Sequence, residues 1–107
     1  MNTNYGSKEL AKEYGELTFG SALESFRLCE EMSQKEFATR LNISQSSLCD
    51  IEKGRRIPSI SRAAKIARHI GMPEETWIKL ALQDSLRKEN LNYVVLLKSG
   101  GLLPASN

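Results

Sequence analysis

The sequence has few of the residues that build metal centres and disulfide scaffolds, with two cysteines and one histidine among 107 residues. Cys29 and Cys49 are too few for a disulfide framework, and with a single histidine they supply no zinc-ligand set of the usual spacing. The sequence shows no nucleophile paired with a base and no glycine-rich phosphate loop. We therefore expect no catalytic residue, no metal and no cofactor.

Long hydrophobic runs are also lacking. The longest uninterrupted apolar stretch covers residues 93–97, whereas a membrane-spanning helix needs about 20 apolar residues. The N-terminus does not have the basic and then apolar pattern of a secretory signal. These absences predict a cytoplasmic protein with no membrane partner.

Positive charge is concentrated in the middle of the chain, although the formal net charge of the whole is only +2. Residues 1–31 sum to −3 and residues 73–107 sum to zero. Residues 32–72 hold eight Lys and Arg against three Asp and Glu, which is a local net charge of +5. A basic segment in a nearly neutral chain indicates either a local anionic partner or a solvated helix face.

Helix signals recur from residue 20 to residue 89. A first helix is predicted over residues 21–31, where apolar positions alternate with glutamates at helical spacing. A second helix is predicted to start at Gln34, because Ser33 and Glu36 form a capping-box sequence. Its end is predicted at Asn42, since asparagine tolerates the left-handed conformation.

Three further helices follow in the pattern. Ser44 is predicted to cap a third helix that runs from Gln45 to about residue 53, and Gly54 supplies its C-terminal stop. The remaining predictions are a fourth helix capped by Ser59 or Ser61 and ended by Gly71, and a fifth opened by Pro73 and reaching at least residue 86.

The second and third predicted helices are short and are joined by a turn of three residues, 42–44. Such helices cannot lie antiparallel and must cross steeply, and the small Ala38 allows their close approach. In this arrangement the second helix of the pair is presented to the major groove of DNA. The pattern therefore indicates a helix-turn-helix unit.

Residues 23–71 resemble the XRE-type helix-turn-helix domain of phage Cro and repressor proteins. Three stretches carry the resemblance: MSQKEFA at 32–38, ISQSSL at 43–48 and IEKGRRIPS at 51–59. The sequence departs from the family at Asn42, where glycine is usual. Together with the helix pattern, the resemblance implies an all-α, five-helix repressor-like domain. The expected organisation is a flexible N-terminal arm (1–18), the helix-turn-helix domain (19–89), and a short C-terminal β-strand with a mobile tail (90–107).

The resemblance places base-reading residues at the start of the third helix, where Gln45 and Ser46 match family positions whose side chains reach base edges. Glutamine can bond adenine bidentately, and serine can donate or accept. Asp50 faces outward too. It either accepts from a cytosine amino group or pairs with a neighbour such as Lys53 or Arg40 and only excludes wrong bases, and the pairing is favoured. The predicted base contacts are Gln45, Ser46, Cys49 and Asp50.

Phosphate contacts are expected from groups that flank the same helix. A lone cation is usually a solvated surface charge, but clustering around a helix that matches the family favours contact with the DNA backbone. The predicted phosphate contacts are Gln34, Lys35, Ser47, Lys53, Arg55 and Arg56.

Arg27 and Glu52 occupy faces that are otherwise apolar. In the family the corresponding residues form an ion pair between the first helix and the end of the third, and the resemblance implies the same here. We therefore assign both residues to structure and not to DNA recognition.

Residues 92–98 are β-branched and aromatic, and they predict a strand that is apolar on both faces. A lone strand leaves its amides unpaired, so it must pair with its own copy across a dimer axis, with the N-terminal arm, or with the sheet edge of another protein. The residues expected to make this contact are Tyr93, Val94, Val95, Leu96 and Leu97.

These features predict a sequence-specific transcriptional regulator, a repressor that binds a near-palindromic operator in double-stranded DNA as a homodimer. An XRE domain with the block LALQD at 80–84 leading to a short strand is also similar to small bacterial regulators of the HigA-type antitoxin kind, which repress their own operon and bind a toxin protein. An antitoxin with a toxin partner is therefore the alternative. Both hypotheses place the protein in the bacterial cytoplasm, associated with the nucleoid.

Overall fold

The structure is a computed structural model that describes residues 17–100, and five α-helices form most of this range. Most of the predicted N-terminal arm and the end of the predicted tail lie outside the described residues. The predicted all-α class with five helices is confirmed. One compact unit ends at Pro58 and contains the first three helices, and a second begins at Ser59 and contains the other two. The helices are α1 (Phe19–Cys29), α2 (Gln34–Leu41), α3 (Gln45–Glu52), α4 (Ile60–His69) and α5 (Glu74–Lys88).

Hydroxyl side chains fix where four of the helices begin. Each accepts a hydrogen bond from the backbone N–H three residues further on, and so satisfies a donor that the first turn leaves unpaired. In the capping box that starts α2, the Glu36 N–H donates to Ser33 Oγ at 3.0 Å and the Ser33 N–H donates to Glu36 Oε1 at 2.9 Å. At α4 the cap is Ser59 and not Ser61. The four capping residues are Thr18, Ser33, Ser44 and Ser59.

The first helix begins two residues earlier than the sequence pattern predicts. The Ser21 N–H donates to Thr18 Oγ1 and the Thr18 N–H donates to Ser21 Oγ, both at 3.0 Å. A serine thus takes the place of the usual Glu or Gln in a reciprocal capping box. Because this box fixes the start at Phe19, α1 covers Phe19–Cys29 and not residues 21–31.

Backbone conformation marks the ends of α2 and α3 and the start of α5. Asn42 has φ of 60° directly after α2, as the sequence predicts. Gly54 has φ of 79° just beyond α3, a conformation that glycine adopts without a steric penalty. Pro73 is the N-cap of α5, with an extended ψ of 130°, whereas the sequence pattern placed it inside the first turn.

In the first unit, α3 packs against both α1 and α2. Phe26 of α1 stacks on Phe37 of α2 with 5.9 Å between ring centroids, and the Arg40 guanidinium lies over the Phe26 ring. These contacts join α1 to α2 beside the helix pair. The buried apolar residues of this unit are Phe19, Leu23, Phe37, Ala38, Leu41, Leu48 and Ile51.

The backbones of α1 and α3 approach closely at Gly20. A Cβ atom at this position would overlap the carbonyl oxygen of Ile51 and lie 2.8 Å from that of Glu52. The missing side chain therefore sets the distance between the two helices. No local sequence signal marks this glycine, because the contact joins residues 31 positions apart.

In the second unit, α4 and α5 pack against each other. Arg68 at the end of α4 donates to Glu74 at the start of α5 at 2.6 Å, across the short connection between the helices. In the part of the chain that the structure describes, no helix has the length and apolarity to cross a bilayer. The buried apolar residues of this unit are Ala63, Ile66, Ala67, Ile70, Trp77 and Ala81.

The predicted C-terminal strand is wrong, since residues 91–100 form neither helix nor strand. A strand needs a neighbouring strand, and residues 17–100 provide none. The Gln83 side chain of α5 serves instead: its Nε2 donates to the Tyr93 carbonyl at 2.6 Å, and its Oε1 accepts from the Val95 N–H at 2.9 Å. One side-chain amide thus satisfies two backbone groups that a sheet would otherwise pair.

Replacement of Gly20 by alanine tests the close approach of α1 to α3. Helix propensity alone would make this substitution stabilising by about 0.5–1 kcal/mol. Because the new methyl group would overlap a backbone carbonyl, we expect Gly20→Ala to lower the free energy of unfolding by about 1–3 kcal/mol. Urea denaturation measures the change. A Gly20→Ala protein more stable than the wild type would contradict this helix packing.

Candidate nucleic-acid interface

One face of α3 is polar and turned to solvent. Leu48 and Ile51 are buried in the core, which leaves positions 45, 46, 49 and 50 together on the opposite face. The first two of these positions are exposed and the other two are half-buried. The structure thus brings the four predicted base contacts onto one surface. An open depression on this surface is lined by Gln34, Gln45, Ser46, Cys49, Asp50 and Arg55.

Asp50 pairs with Arg55, a neighbouring cation other than the examples expected from the sequence, Lys53 and Arg40. Arg55 Nε donates to Asp50 Oδ1 at 2.9 Å. Arg55 Nη2 lies 3.6 Å from the Cys49 sulfur, so the guanidinium lies across the outer side of the last turns of α3. The expectation that Asp50 pairs with a cation holds, but the cation is a different one.

The turn after α3 explains why Arg55 reaches Asp50. Beyond the left-handed Gly54, the backbone N–H groups of Arg55 and Arg56 both donate to the Asp50 carbonyl, at 2.8 and 3.2 Å. Asp50 therefore holds Arg55 through both its backbone and its side chain. The hydrogen bond to the Asp50 carboxylate raises the pKa of Arg55 above its already high ordinary value, so the guanidinium stays charged.

Arg27 and Glu52 form an ion pair inside the first unit. Arg27 Nε donates to Glu52 Oε2 at 2.8 Å and Nη2 donates to Oε1 at 3.1 Å, while the Glu52 side chain is only 1% exposed. Arg27 Nη1 also donates to the Met32 carbonyl at 3.0 Å, and Gln34 Nε2 donates to Glu52 Oε1 at 2.9 Å. The hydrogen bonds to Glu52 raise the pKa of Arg27. The pair thereby links α1, the turn before α2, the start of α2 and the end of α3.

The residues predicted to contact phosphate have different surroundings. Lys35, Lys53 and Arg56 are exposed. Gln34 is half-buried and already gives one amide hydrogen to Glu52, so fewer of its donors are available to DNA. The hydroxyl of Ser47 accepts from the Ser44 hydroxyl, and contact with DNA stays a prediction for all of these residues.

Two partnerships at this site were not predicted from the sequence. One is the Asp50–Arg55 pair. The sequence feature that could have indicated it is a glycine that lies between an outward-facing acidic residue and a following arginine. The other is the hydrogen bond from Gln34 to Glu52, which spans 18 positions and has no local signal.

Two short helices joined by a three-residue turn, with a polar face on the second helix, define a helix-turn-helix protein. In agreement, residues 23–77, slightly more than half of the chain, match the family model described as helix-turn-helix. The chain therefore belongs to the XRE-type helix-turn-helix family, a family of DNA-binding regulators.

Two curated relatives have related sequences. The chain is 33% identical over 66 residues to the endothelial differentiation-related factor 1 homolog of Gallus gallus, covering 62% of this chain and 45% of the relative. It is 34% identical over 53 residues to an uncharacterized HTH-type transcriptional regulator of Methanocaldococcus jannaschii, covering 50% of this chain and 80% of the relative. The match thus spans less than half of the chicken protein. Comparison with solved structures gives no significant match.

Disruption of the buried ion pair tests its structural role. We expect Glu52→Ala and Arg27→Ala each to cost about 3–5 kcal/mol in the free energy of unfolding, because each leaves an uncompensated buried charge. An Arg27→Met/Glu52→Leu double variant should recover most of that loss, since apolar side chains of similar size leave no charge behind. Urea denaturation followed by circular dichroism measures all three.

The exposed pair between Arg68 and Glu74 supplies the matched control. Arg68→Ala should cost less than about 1 kcal/mol, since solvent screens that pair. Equal losses for Arg27→Ala and Arg68→Ala would contradict the assignment of Arg27 to the interior.

Proposed function

We propose that this protein is a sequence-specific transcriptional regulator that reads an operator with the outward face of α3. The observation that carries the proposal is the position of Gln45 and Ser46. Both are exposed at the start of a helix whose apolar side, at Leu48 and Ile51, is fully buried. Such a helix has one orientation relative to the core and presents a polar face with hydrogen-bonding capacity to a groove.

The chemistry of this face suits the recognition of bases. The Gln45 amide has both a donor and an acceptor and can bond adenine N6 and N7 together, while the Ser46 hydroxyl can donate or accept. Lys35, Lys53 and Arg56 lie exposed around the helix pair and supply charge for the phosphate backbone. This supports a division in which α3 specifies sequence and the surrounding cations supply affinity.

We propose further that two copies bind a near-palindromic operator as a homodimer, with half-sites about 34 Å apart. The surface offered for dimerisation is the C-terminal segment, residues 91–97. Its apolar side chains are largely exposed, with Tyr93 67%, Val94 78% and Leu96 82% exposed. Several exposed apolar side chains within one short segment favour an interaction site there. Repression then follows from occupancy of the operator.

The same segment favours a second candidate function, that of an antitoxin whose exposed apolar residues bind a toxin protein. The two functions are not exclusive, and the product of the neighbouring gene discriminates between them. A regulator that dimerises through this segment has the mass of a dimer by itself. An antitoxin also forms a complex with the product of the neighbouring gene when the two proteins are mixed.

A Gln45→Ala variant tests the recognition face. Loss of the amide should cost about 1–3 kcal/mol of discrimination at one base pair of each half-site, with preferences at the other positions retained. Selection of binding sites from a random DNA pool measures the preference for both proteins. An unchanged preference in Gln45→Ala would contradict the assignment of α3.

A Val94→Asp/Leu96→Asp variant tests the proposed dimer surface. Both side chains are exposed in the single chain, so the fold should tolerate the change. In a dimer the two new carboxylates would be buried and would disrupt an apolar interface. Sedimentation equilibrium should show a dimer for the wild type and a monomer for the variant. Lys98→Asp, which adds an acid at an exposed position next to the segment, should remain dimeric. A dimer that survives in the double variant would exclude this segment from the interface.

A further inference from the structure

Arg55 differs from the other cations around α3 because its side chain is held in place. Asp50 Oδ1 accepts from its Nε at 2.9 Å, and the Cys49 sulfur lies 3.6 Å from its Nη2. Both contacts are with residues of the outward face of α3. The guanidinium therefore lies beside the predicted base contacts and lines the same depression as Gln45 and Ser46. Despite these contacts, the Arg55 side chain is still 58% exposed.

The donors that remain on Arg55 match the edge of a guanine. A guanidinium has five N–H donors in a planar fork, of which the Nε–H is given to Asp50 and one Nη2–H points at Cys49. The other three lie on the two terminal nitrogens. Guanine presents two neighbouring acceptors, O6 and N7, in the major groove, and a planar arginine fork bonds both.

The position of Asp50 favours a base over a phosphate as the target of Arg55. A carboxylate next to the DNA backbone is repelled by phosphate. Because the Asp50–Arg55 pair has zero net charge, it contributes little to non-specific binding. Asp50 orients Arg55, because its hydrogen bond to Nε fixes the plane of the guanidinium before DNA binds. A planar donor held in advance loses less conformational entropy on forming two hydrogen bonds.

We propose that Arg55 reads a guanine in each half-site and that Asp50 is the positioning residue that holds it, an inference that rests on the proposed function. It replaces the sequence-based expectation that Arg55 contacts phosphate. It also makes Asp50 a determinant of specificity that need not touch DNA. The base-reading surface then extends from Gln45 at the start of α3 to the loop beyond its end.

The test compares Arg55→Ala, Arg55→Lys and Asp50→Ala with Arg56→Ala as the matched control. The selected operator and its single-base-pair variants are titrated with each full-length protein at several salt concentrations. In the wild type, replacement of one particular G·C pair should weaken binding roughly 5- to 150-fold. With Arg55→Ala that discrimination should fall to about twofold or less, while discrimination at the Gln45-dependent pair is retained.

The other variants separate orientation from charge. Arg55→Lys keeps the positive charge but has no planar fork that Asp50 can orient, so it should keep the salt dependence and weaken the guanine preference. Asp50→Ala should lose the preference at the same base pair as Arg55→Ala, and the double variant should lose no more than either single variant. Arg56→Ala should weaken all sequences alike and reduce the salt slope by about one.

Two results overturn the inference while the proposed function stands. One is a uniform loss of affinity in Arg55→Ala with guanine discrimination intact. The other is guanine discrimination equal to that of the wild type in both single variants, Arg55→Lys and Asp50→Ala. Thermal unfolding of each variant controls for loss of fold, and Arg55→Lys keeps the test decisive where Asp50→Ala is unstable. A wild-type protein with equal affinity for every sequence overturns the proposed function itself.

Discussion

The helix-turn-helix unit of this protein depends on how a buried carboxylate, Glu52, is compensated. An ionised side chain that is only 1% exposed is costly unless charge and hydrogen bonds surround it. Arg27 supplies the charge through two hydrogen bonds, and Gln34 supplies a third donor. These groups come from α1, from the start of α2 and from the end of α3. A single side chain thus fixes three helices relative to one another, while Gly20 lets α1 come close enough for the pair to form.

The outward face of α3 follows from this interior constraint. With Leu48, Ile51 and Glu52 all directed inward, the helix has only one orientation, and Cys49 and Asp50 must face the opposite side. The end of the helix is fixed as well, and the left-handed Gly54 then returns the chain toward Asp50. The position of the Arg55 guanidinium is thus a consequence of the buried pair and the turn. A recognition surface on short, exposed elements obtains its precision from contacts on the other side of the helix.

The parts of the structure that could be predicted from the sequence are those set by short-range rules. Capping at Ser33 and Ser44, the left-handed Asn42 and the spacing of Leu48 and Ile51 involve neighbours within four residues, and they gave the helix pair and its outward face. The start of α1 was misplaced, because serine is an uncommon third residue of a capping box. The C-terminal strand was wrong for a different reason. Residues 92–98 have β-strand propensity, but this propensity reflects packing on a sheet and has an effect only where a sheet is present. Here the Gln83 amide, ten residues before Tyr93, forms hydrogen bonds with the backbone instead.

Local net charge picks out a segment that lies within the helix-turn-helix match, but it does not say which side chains share a surface. The +5 of residues 32–72 counts every cation equally, yet Arg68 is paired with Glu74, and Arg40 lies over a phenylalanine ring. The same sum counts Asp50 and Arg55 as cancelling, although these two residues shape the outward face of α3 together. A pair of zero net charge adds little to non-specific attraction, so the contribution that we propose for it is the orientation of the Arg55 guanidinium. For this reason the cations proposed to contact phosphate can be counted along the chain, whereas the partner that holds Arg55 beside α3 is found only from the contacts in the structure.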